Sequence, residues 1–218
     1  MISRLHYITQ SLPDRSHAQL AAEACQGGVD WVQLRLKGAS TDEWAAQARE
    51  TLLVCRRYGA RLIINDHVAL ARDIDADGVH LGKTDMPPAQ ARQLLGSGKI
   101  IGGTANTWED IRELARAGVD YIGLGPFRFT PTKENLSPVL GLGGYRLILD
   151  QRRQAGLDLP ILAIGGITAD DVWPLMGEGL HGLAVSAAIS KSANPAAAAS
   201  QLVQQISEAV SPKPSILL

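Results

Sequence analysis

Eight times along this chain a short apolar or β-branched run is followed by a longer stretch with helical spacing. The short runs cover 5–8, 31–35, 61–65, 78–81, 99–102, 121–124, 160–164 and 182–185. The helical stretches cover 16–26, 41–58, 68–74, 88–95, 107–117, part of 144–156, 168–177 and 195–210. Short runs that are apolar throughout suit strands buried on both faces, and a helix between successive runs allows parallel pairing. The punctuation agrees. Ser16 and Thr107 stand where N-caps belong, Glu43 lies just inside a helix start, Pro88 opens another helix and Gly59 closes one. Eight such units predict an α/β fold, a closed (β/α)8 TIM barrel, occupying 1–211 as one domain with 212–218 as a C-terminal tail. The alternative is a doubly wound open sheet.

Composition removes several classes of function. At 218 residues and 45 % hydrophobic, the chain can bury a sizeable core. A net charge of −1 leaves no nucleic-acid footprint. No run of apolar residues is long enough for a membrane helix, and MISRLHYITQ lacks the pattern of a signal peptide. Cys25 and Cys55 read as reduced core thiols of a cytoplasmic protein. The expected partners are small phosphorylated molecules, with no nucleic acid and no membrane; a homo-oligomer stays open.

In a barrel of this kind, chemistry belongs at the C-terminal ends of the strands. The second strand ends in Gln33-Leu34-Arg35-Leu36-Lys37, and alternation turns Gln33, Arg35 and Lys37 to one side. Two cations there suggest a polyanion such as a pyrophosphate, against a plain reading as a snorkelling surface pair. The third strand ends in Asn65-Asp66-His67, and the fourth leads to Asp85. Each acid could cap the helix that follows or bind a metal; beside phosphates, the metal would be Mg²⁺. His67 and His80 have no zinc spacing, and His80 reads as a satisfied interior histidine.

Thr104 follows the fifth strand and could give a hydroxyl to phosphate. Gly165-Gly166 follows the seventh strand and Ser186-Ala187 the eighth. Small residues at these two places form the phosphate cradle of many barrels, where backbone N–H groups hold the anion. Between Thr104 and the glycine pair in sequence lies GLGPFRFTPTKENLSPVLG, 123–141, with Thr130, Thr132 and Lys133. It is either an ordinary turn-rich loop or a ligand loop, and it is long enough to fold over the mouth. Together these features imply two anion sites. One lies at strands seven and eight near Thr130 and Thr132. The other lies at strands two to five with Arg35, Lys37, Lys133 and a magnesium ion.

Five motifs carry a family resemblance. They are Gln33-x-Arg35-x-Lys37, Ile64-Asn65-Asp66, Gly78-Val79-His80-Leu81-Gly82-x-x-Asp85, Gly125-Pro126-x-x-x-Thr130-x-Thr132-Lys133 and Ala163-Ile164-Gly165-Gly166-Ile167. In this order the chain resembles the thiamine phosphate synthases over nearly its full length. That resemblance implies joining of 4-amino-5-hydroxymethyl-2-methylpyrimidine diphosphate to 4-methyl-5-(2-hydroxyethyl)thiazole phosphate, with release of pyrophosphate, by a dissociative substitution. It implies Mg²⁺ on Asp66 and Asp85. It places Gln33, Arg35, Lys37, Asn65, Thr104 and Lys133 around the pyrimidine diphosphate, and Thr130, Thr132, Gly166, Ser186 and Ala187 around the thiazole phosphate. Arg35, Lys37 and Lys133 are the expected catalytic residues.

The chain departs from the family pattern at Thr104, where serine is usual, at Asn106, often histidine, and at Ser186-Ala187, often Val-Ser. Lys83 replaces a common glutamine and adds a positive charge near the acids. Phe127-Arg128-Phe129 and the 136–142 segment look insert-like and make the long loop more apolar. Two other readings fit a barrel of this kind. A thiazole tautomerase-like relative would need no metal, but the chain keeps both acids and the cations, and has Pro126 where that type carries histidine. A non-catalytic phosphate-ligand binding protein has no partner segment to support it.

Overall fold

A computed structural model describes residues 1–130 and 137–211. Its strands are β1 (Leu5–Ile8), β2 (Trp31–Leu34), β3 (Arg61–Asn65), β4 (Gly78–Leu81), β5 (Ile100–Ala105), β6 (Tyr121–Leu124), β7 (Ile161–Ile164) and β8 (Gly182–Val185). They are all parallel and close into a barrel in chain order. β8 returns to β1 with Leu5 opposite Leu183 and Tyr7 opposite Val185. The closed ring leaves no sheet edge, which excludes the open doubly wound alternative.

The helices are α1 (His17–Gln26), α2 (Thr41–Tyr58), α3 (Val68–Asp73), α4 (Pro88–Leu95), α5 (Trp108–Arg116), α6 (Gly141–Gln154), α7 (Val172–Gly177), α8 (Ala187–Ser190) and α9 (Pro195–Val210). Ser16, Ser40 and Thr107 cap α1, α2 and α5, each in a reciprocal capping box with Gln19, Glu43 or Asp110. A single 3₁₀ turn, Ala169–Asp171, precedes α7. The tail 212–218 lies outside the described residues, and so does the 131–136 part of the long loop. No helix among the described residues is long and apolar enough to cross a membrane.

Strand alternation divides the apolar residues into two layers. Val32, Leu34, Leu62, Ile64, Val79, Ile122 and Leu183 face outward and pack with the helices in one large cluster. Trp31, Ile63, Tyr121 and Leu162 face inward and fill the barrel as a separate cluster. Each fully buried side chain of this size contributes about 1.5–3 kcal/mol. His6 stacks on Trp31 with ring centroids 4.3 Å apart, and Tyr121 meets both rings edge-on at 4.9 and 5.6 Å. Burial holds His6 well below the usual histidine pKa, with nearby His80 acting in the same direction, so His6 is neutral within this stack.

Some boundaries differ from the sequence reading, for physical reasons. The fifth strand was expected to stop at Gly102 but continues to Ala105. Gly102 makes room inside the barrel, since a Cβ there would fall 2.2 Å from Cζ of Tyr121. Gly103 makes room outside, where a Cβ would lie 2.6 Å from Leu114. β2 stops at Leu34, one residue early. α6 begins at Gly141, three residues before the expected helical stretch, and so takes in Gly141 and Gly143 as well as Gly144. The turn after β8 is the short helix α8. Cys25 and Cys55 are buried free thiols between α1 and α2; burial raises both thiol pKa values, that of Cys25 to about 11.

Candidate active site

The mouth at the C-terminal ends of the strands gathers most of the polar residues singled out in the sequence. On the β2–β5 side stand Gln33, Arg35, Asn65, Asp66, Asp85 and Thr104. Gln33 is buried in the barrel, and Arg35 lies just past the end of β2. Lys37 is exposed and three residues beyond the strand, so strand alternation does not orient it. The Arg35 backbone is held from below. Its N–H donates to Thr9 Oγ1 at 3.2 Å, and the same hydroxyl contacts His17 Nδ1 at 2.7 Å.

Neither acid caps a helix. α3 is entered through His67 and α4 through Pro87, and neither start has a side-chain cap. Asp66 instead adopts a left-handed conformation, φ 66°, with its N–H donating to the His80 carbonyl at 2.9 Å. Aspartate tolerates that region better than most residues, but a non-glycine there is uncommon and marks a constrained position. Asp85 accepts the Gly82 N–H at 2.6 Å. Partial desolvation, followed by a hydrogen bond and charge repulsion from Asp85, pushes the Asp66 carboxyl up to about 7, against the pull of Arg35. Asp66 is itself open to solvent at the rim, so screening blunts the desolvation part, and the upward direction rests on the facing carboxylate. Two facing hard-oxygen donors that repel each other without a cation between them fit a magnesium ion.

Below them a hydrogen-bonded chain runs into the barrel. Thr104 Oγ1 lies 2.9 Å from His80 Nε2, and His80 Nδ1 lies 3.0 Å from the Tyr121 hydroxyl. Tyr121 also interacts with Gln33, and burial keeps its phenol protonated. Both ring nitrogens of His80 are thus engaged, as expected for a satisfied interior histidine. Lys83 does not add a loose positive charge near the acids. Its ammonium pairs with Asp110 at 2.7 Å, and Asp110 also receives the N–H groups of Asn106 and Thr107.

The β6–β8 side is built around the Gly165-Gly166 turn, whose residues have φ 101° and 70°. A Cβ on Gly165 would meet Pro126 at 2.6 Å, and one on Gly166 would meet Arg128 at 2.4 Å. Only glycine permits both this backbone and this approach. Beside it, Ser186 Oγ is buried and has no hydrogen-bond partner among the described residues. An orphaned buried hydroxyl at a mouth is a place for a ligand oxygen. Ala187 follows it as the first residue of α8.

The loop after β6 is less of an insert than its sequence suggests. Phe127 N–H donates to Ile164 O at 2.8 Å and Arg128 N–H to Gly165 O at 3.1 Å, extending the β6–β7 contact beyond the strands. Arg128 forks onto Asp171 at 2.7 and 2.6 Å and reaches Gly166 O at 2.9 Å. Asn106 Nδ2 donates to Gly125 O and to Pro138 O, both at 2.9 Å, so one amide ties the two ends of the loop together. Thr130 is the last described residue before the gap; Thr132 and Lys133 lie outside the described residues.

Sequence reasoning missed Thr9, His17, Tyr121, Arg128 and Asp171. For Asp171 a signal was available, since it stands three residues after Thr168 and closes a capping box with it.

Comparison with known proteins agrees with this fold. The family described as thiamine monophosphate synthase matches residues 5–189. A thiamine-phosphate synthase of Bacteroides thetaiotaomicron is 50 % identical over 193 residues, covering 88 % of this chain and 92 % of that protein. One of Flavobacterium johnsoniae is 47 % identical over 208 residues, covering 95 % and 96 %. Among solved structures, a thiamine phosphate pyrophosphorylase from Pyrococcus furiosus superimposes with a TM-score of 0.84 at 30 % identity, covering 95 % of this chain and 97 % of that one. With the family matched across most of the barrel and the relatives matched nearly end to end, the chain belongs to the thiamine monophosphate synthase family.

Proposed function

We propose that this protein is a thiamine-phosphate synthase that joins 4-amino-5-hydroxymethyl-2-methylpyrimidine diphosphate to 4-methyl-5-(2-hydroxyethyl)thiazole phosphate, releasing pyrophosphate. The observation that carries the reading is that one mouth holds two anion-accepting arrangements of different kinds. On one side are Arg35 and the facing acids Asp66 and Asp85. On the other are the Gly165-Gly166 turn and the orphaned Ser186 hydroxyl. Two differently built sites suit two different phosphorylated substrates.

In this reading the diphosphate lies over β2–β5. Asp66 and Asp85 hold a magnesium ion which, when bound, supplies counter-charge to the diphosphate. Arg35, Lys37 and Lys133 take up the charge that develops as the methylene C–O bond breaks and the electron pair leaves with pyrophosphate. Gln33, Asn65 and Thr104 border the pyrimidine. Thr130, Thr132, Gly166, Ser186 and Ala187 hold the thiazole phosphate so that the ring nitrogen faces the cationic methylene carbon. The nitrogen lone pair then forms the new C–N bond. No proton has to move in that exchange, which agrees with His80 being hydrogen-bonded at both nitrogens and not poised as a base.

The test is product formation from the two substrates by the purified protein, with and without a chelator. Thiamine phosphate should appear, stop with chelator and return with added Mg²⁺. Turnover that ignores the chelator would remove the metal from this scheme, and no product at all would remove the activity.

A further inference from the structure

We propose that Arg128 is a positioning residue for the thiazole phosphate: by holding the carbonyls of Gly165 and Gly166, it turns the N–H groups of that loop toward the mouth. The argument is one of peptide geometry. A trans peptide points its C=O and its N–H in opposite directions. The Gly165 carbonyl accepts the Arg128 backbone N–H at 3.1 Å, and the Gly166 carbonyl accepts the Arg128 guanidinium at 2.9 Å. The N–H groups paired with those carbonyls belong to Gly166 and Ile167. Both are therefore turned away from Arg128. Two successive N–H groups directed to one side by left-handed glycines make an anion-binding concavity.

The guanidinium is itself fixed. It makes two bonds to Asp171, at 2.7 and 2.6 Å, in the fork geometry that arginine offers and lysine does not. Asp171 is held by the N–H and hydroxyl of Thr168 at 2.8 and 2.9 Å. The chain of support runs from Thr168 through Asp171 and Arg128 to the glycine turn. Asp171 also neutralises Arg128, so the guanidinium acts on the turn as a fixed donor and not as a loose cation competing for the phosphate. Because a Cβ on Gly166 would lie 2.4 Å from Arg128 Cγ, the arginine can lie along the turn in this way only if residue 166 is glycine.

The inference rests on the functional reading above, so the experiment separates the two. Wild type, Arg128→Met and Arg128→Lys are compared in steady-state turnover. Inorganic phosphate and pyrophosphate are the probes of the two sites, measured both as inhibitors and as ligands that raise the melting temperature. For Arg128→Met the KM for thiazole phosphate and the inhibition constant of inorganic phosphate should rise about tenfold, the loss of roughly one charge-assisted hydrogen bond. The KM for the pyrimidine diphosphate and the inhibition constant of pyrophosphate should stay unchanged. Arg128→Lys should fall between, because it keeps the charge and loses the fork; it is also the variant to use if the methionine form does not fold. Unchanged phosphate binding, or equal weakening of phosphate and pyrophosphate, would overturn the proposal. If the wild type makes no thiamine phosphate, yet phosphate stabilises it and not Arg128→Met, the activity is wrong and the role of Arg128 stands.

Discussion

The hydroxyl of Thr9 accepts the backbone N–H of Arg35 at 3.2 Å, while its own N–H donates to Gln33 O at 2.9 Å. One residue of the β1 end thus fixes the chain on both sides of Leu34, where β2 stops. The same hydroxyl contacts the buried His17 of α1 at 2.7 Å. Burial lowers the pKa of His17, so a neutral ring shares this bond.

Thr9→Val keeps the shape and removes the hydroxyl. It leaves a backbone N–H and an imidazole nitrogen unpaired, which costs about 1–3 kcal/mol of stability. Because Arg35 loses its backbone anchor, kcat/KM for the pyrimidine diphosphate should drop several-fold with the KM for thiazole phosphate unchanged. Thr9→Ser should restore both. Steady-state kinetics with each substrate varied in turn will decide; a uniform fall on both substrates would mean that Thr9 matters only for folding.

The facing acids give a pH prediction whose sign follows from Asp66. Its pKa is raised from an ordinary 3.8 to about 7 in the folded protein. Between those values the folded state holds a proton that the unfolded chain releases. Stability of the metal-free protein should therefore fall as pH rises from about 4 to about 7, and change no further above that through this group. A divalent cation competes with that proton, so Mg²⁺ should raise the melting temperature at pH 8 and do little at pH 5. Asp66→Asn should flatten the pH dependence and abolish the magnesium effect. Thermal melts across pH with and without Mg²⁺ will test this, and a magnesium response that survives in both Asp66→Asn and Asp85→Asn would place the ion elsewhere.

Asn106 makes a further prediction. Its amide closes the long loop by holding Gly125 O and Pro138 O, at 2.9 Å each. Asn106→Leu fills similar volume and drops both bonds, at a cost of about 1–3 kcal/mol. Thr130, Thr132 and Lys133 all lie between the two tied points, so kcat should fall by about tenfold or more in the scheme proposed here, a barrier change of about 1.4 kcal/mol. Phosphate binding should weaken only by the share of Thr130 and Thr132, since the glycine turn is held separately through Arg128. An Asn106→Leu enzyme with normal kcat would show that the clasp serves stability alone.

The barrel was legible in the sequence because parallel-strand runs and capping residues are local signals. Ser16, Thr107 and Gly59 act where their types predict. The glycine pair at 102–103 misled the reading of β5, since propensity penalises glycine in a strand and cannot see the Tyr121 ring that demands it. In the mouth, residue types marked Arg35, the two acids and the glycine turn. Their supports were hidden because they are long-range. Thr9 sits 26 residues from Arg35 along the chain, and Asp171 sits 43 from Arg128. Nothing in FRF announces that its arginine is a brace. Asp66 and Asp85 could each have been caps on spacing alone, and only the helix starts at His67 and Pro87 take that reading away.

Gly102 offers the sharpest test of how the interior supports the mouth. A methyl group there would lie 2.2 Å from Tyr121 Cζ and 2.5 Å from its hydroxyl, well inside contact. Tyr121 cannot retreat freely, because His6 and Trp31 pack on it from the other side at 4.9 and 5.6 Å. Overpacking of this kind costs about 1–3 kcal/mol or more, so Gly102→Ala should lower the melting temperature by several degrees. The displaced phenol would also give up His80 Nδ1, now 3.0 Å away, and with it the orientation of the ring that faces Thr104. Activity should therefore fall further than the folded fraction does. Tyr121→Leu in the Gly102→Ala background should recover part of the stability, by removing the clash, and none of the activity, since the hydroxyl is gone. Melting curves and turnover of the single and double variants give the two readouts. Recovery of both together would show that the inner layer supports the fold and leaves the mouth untouched.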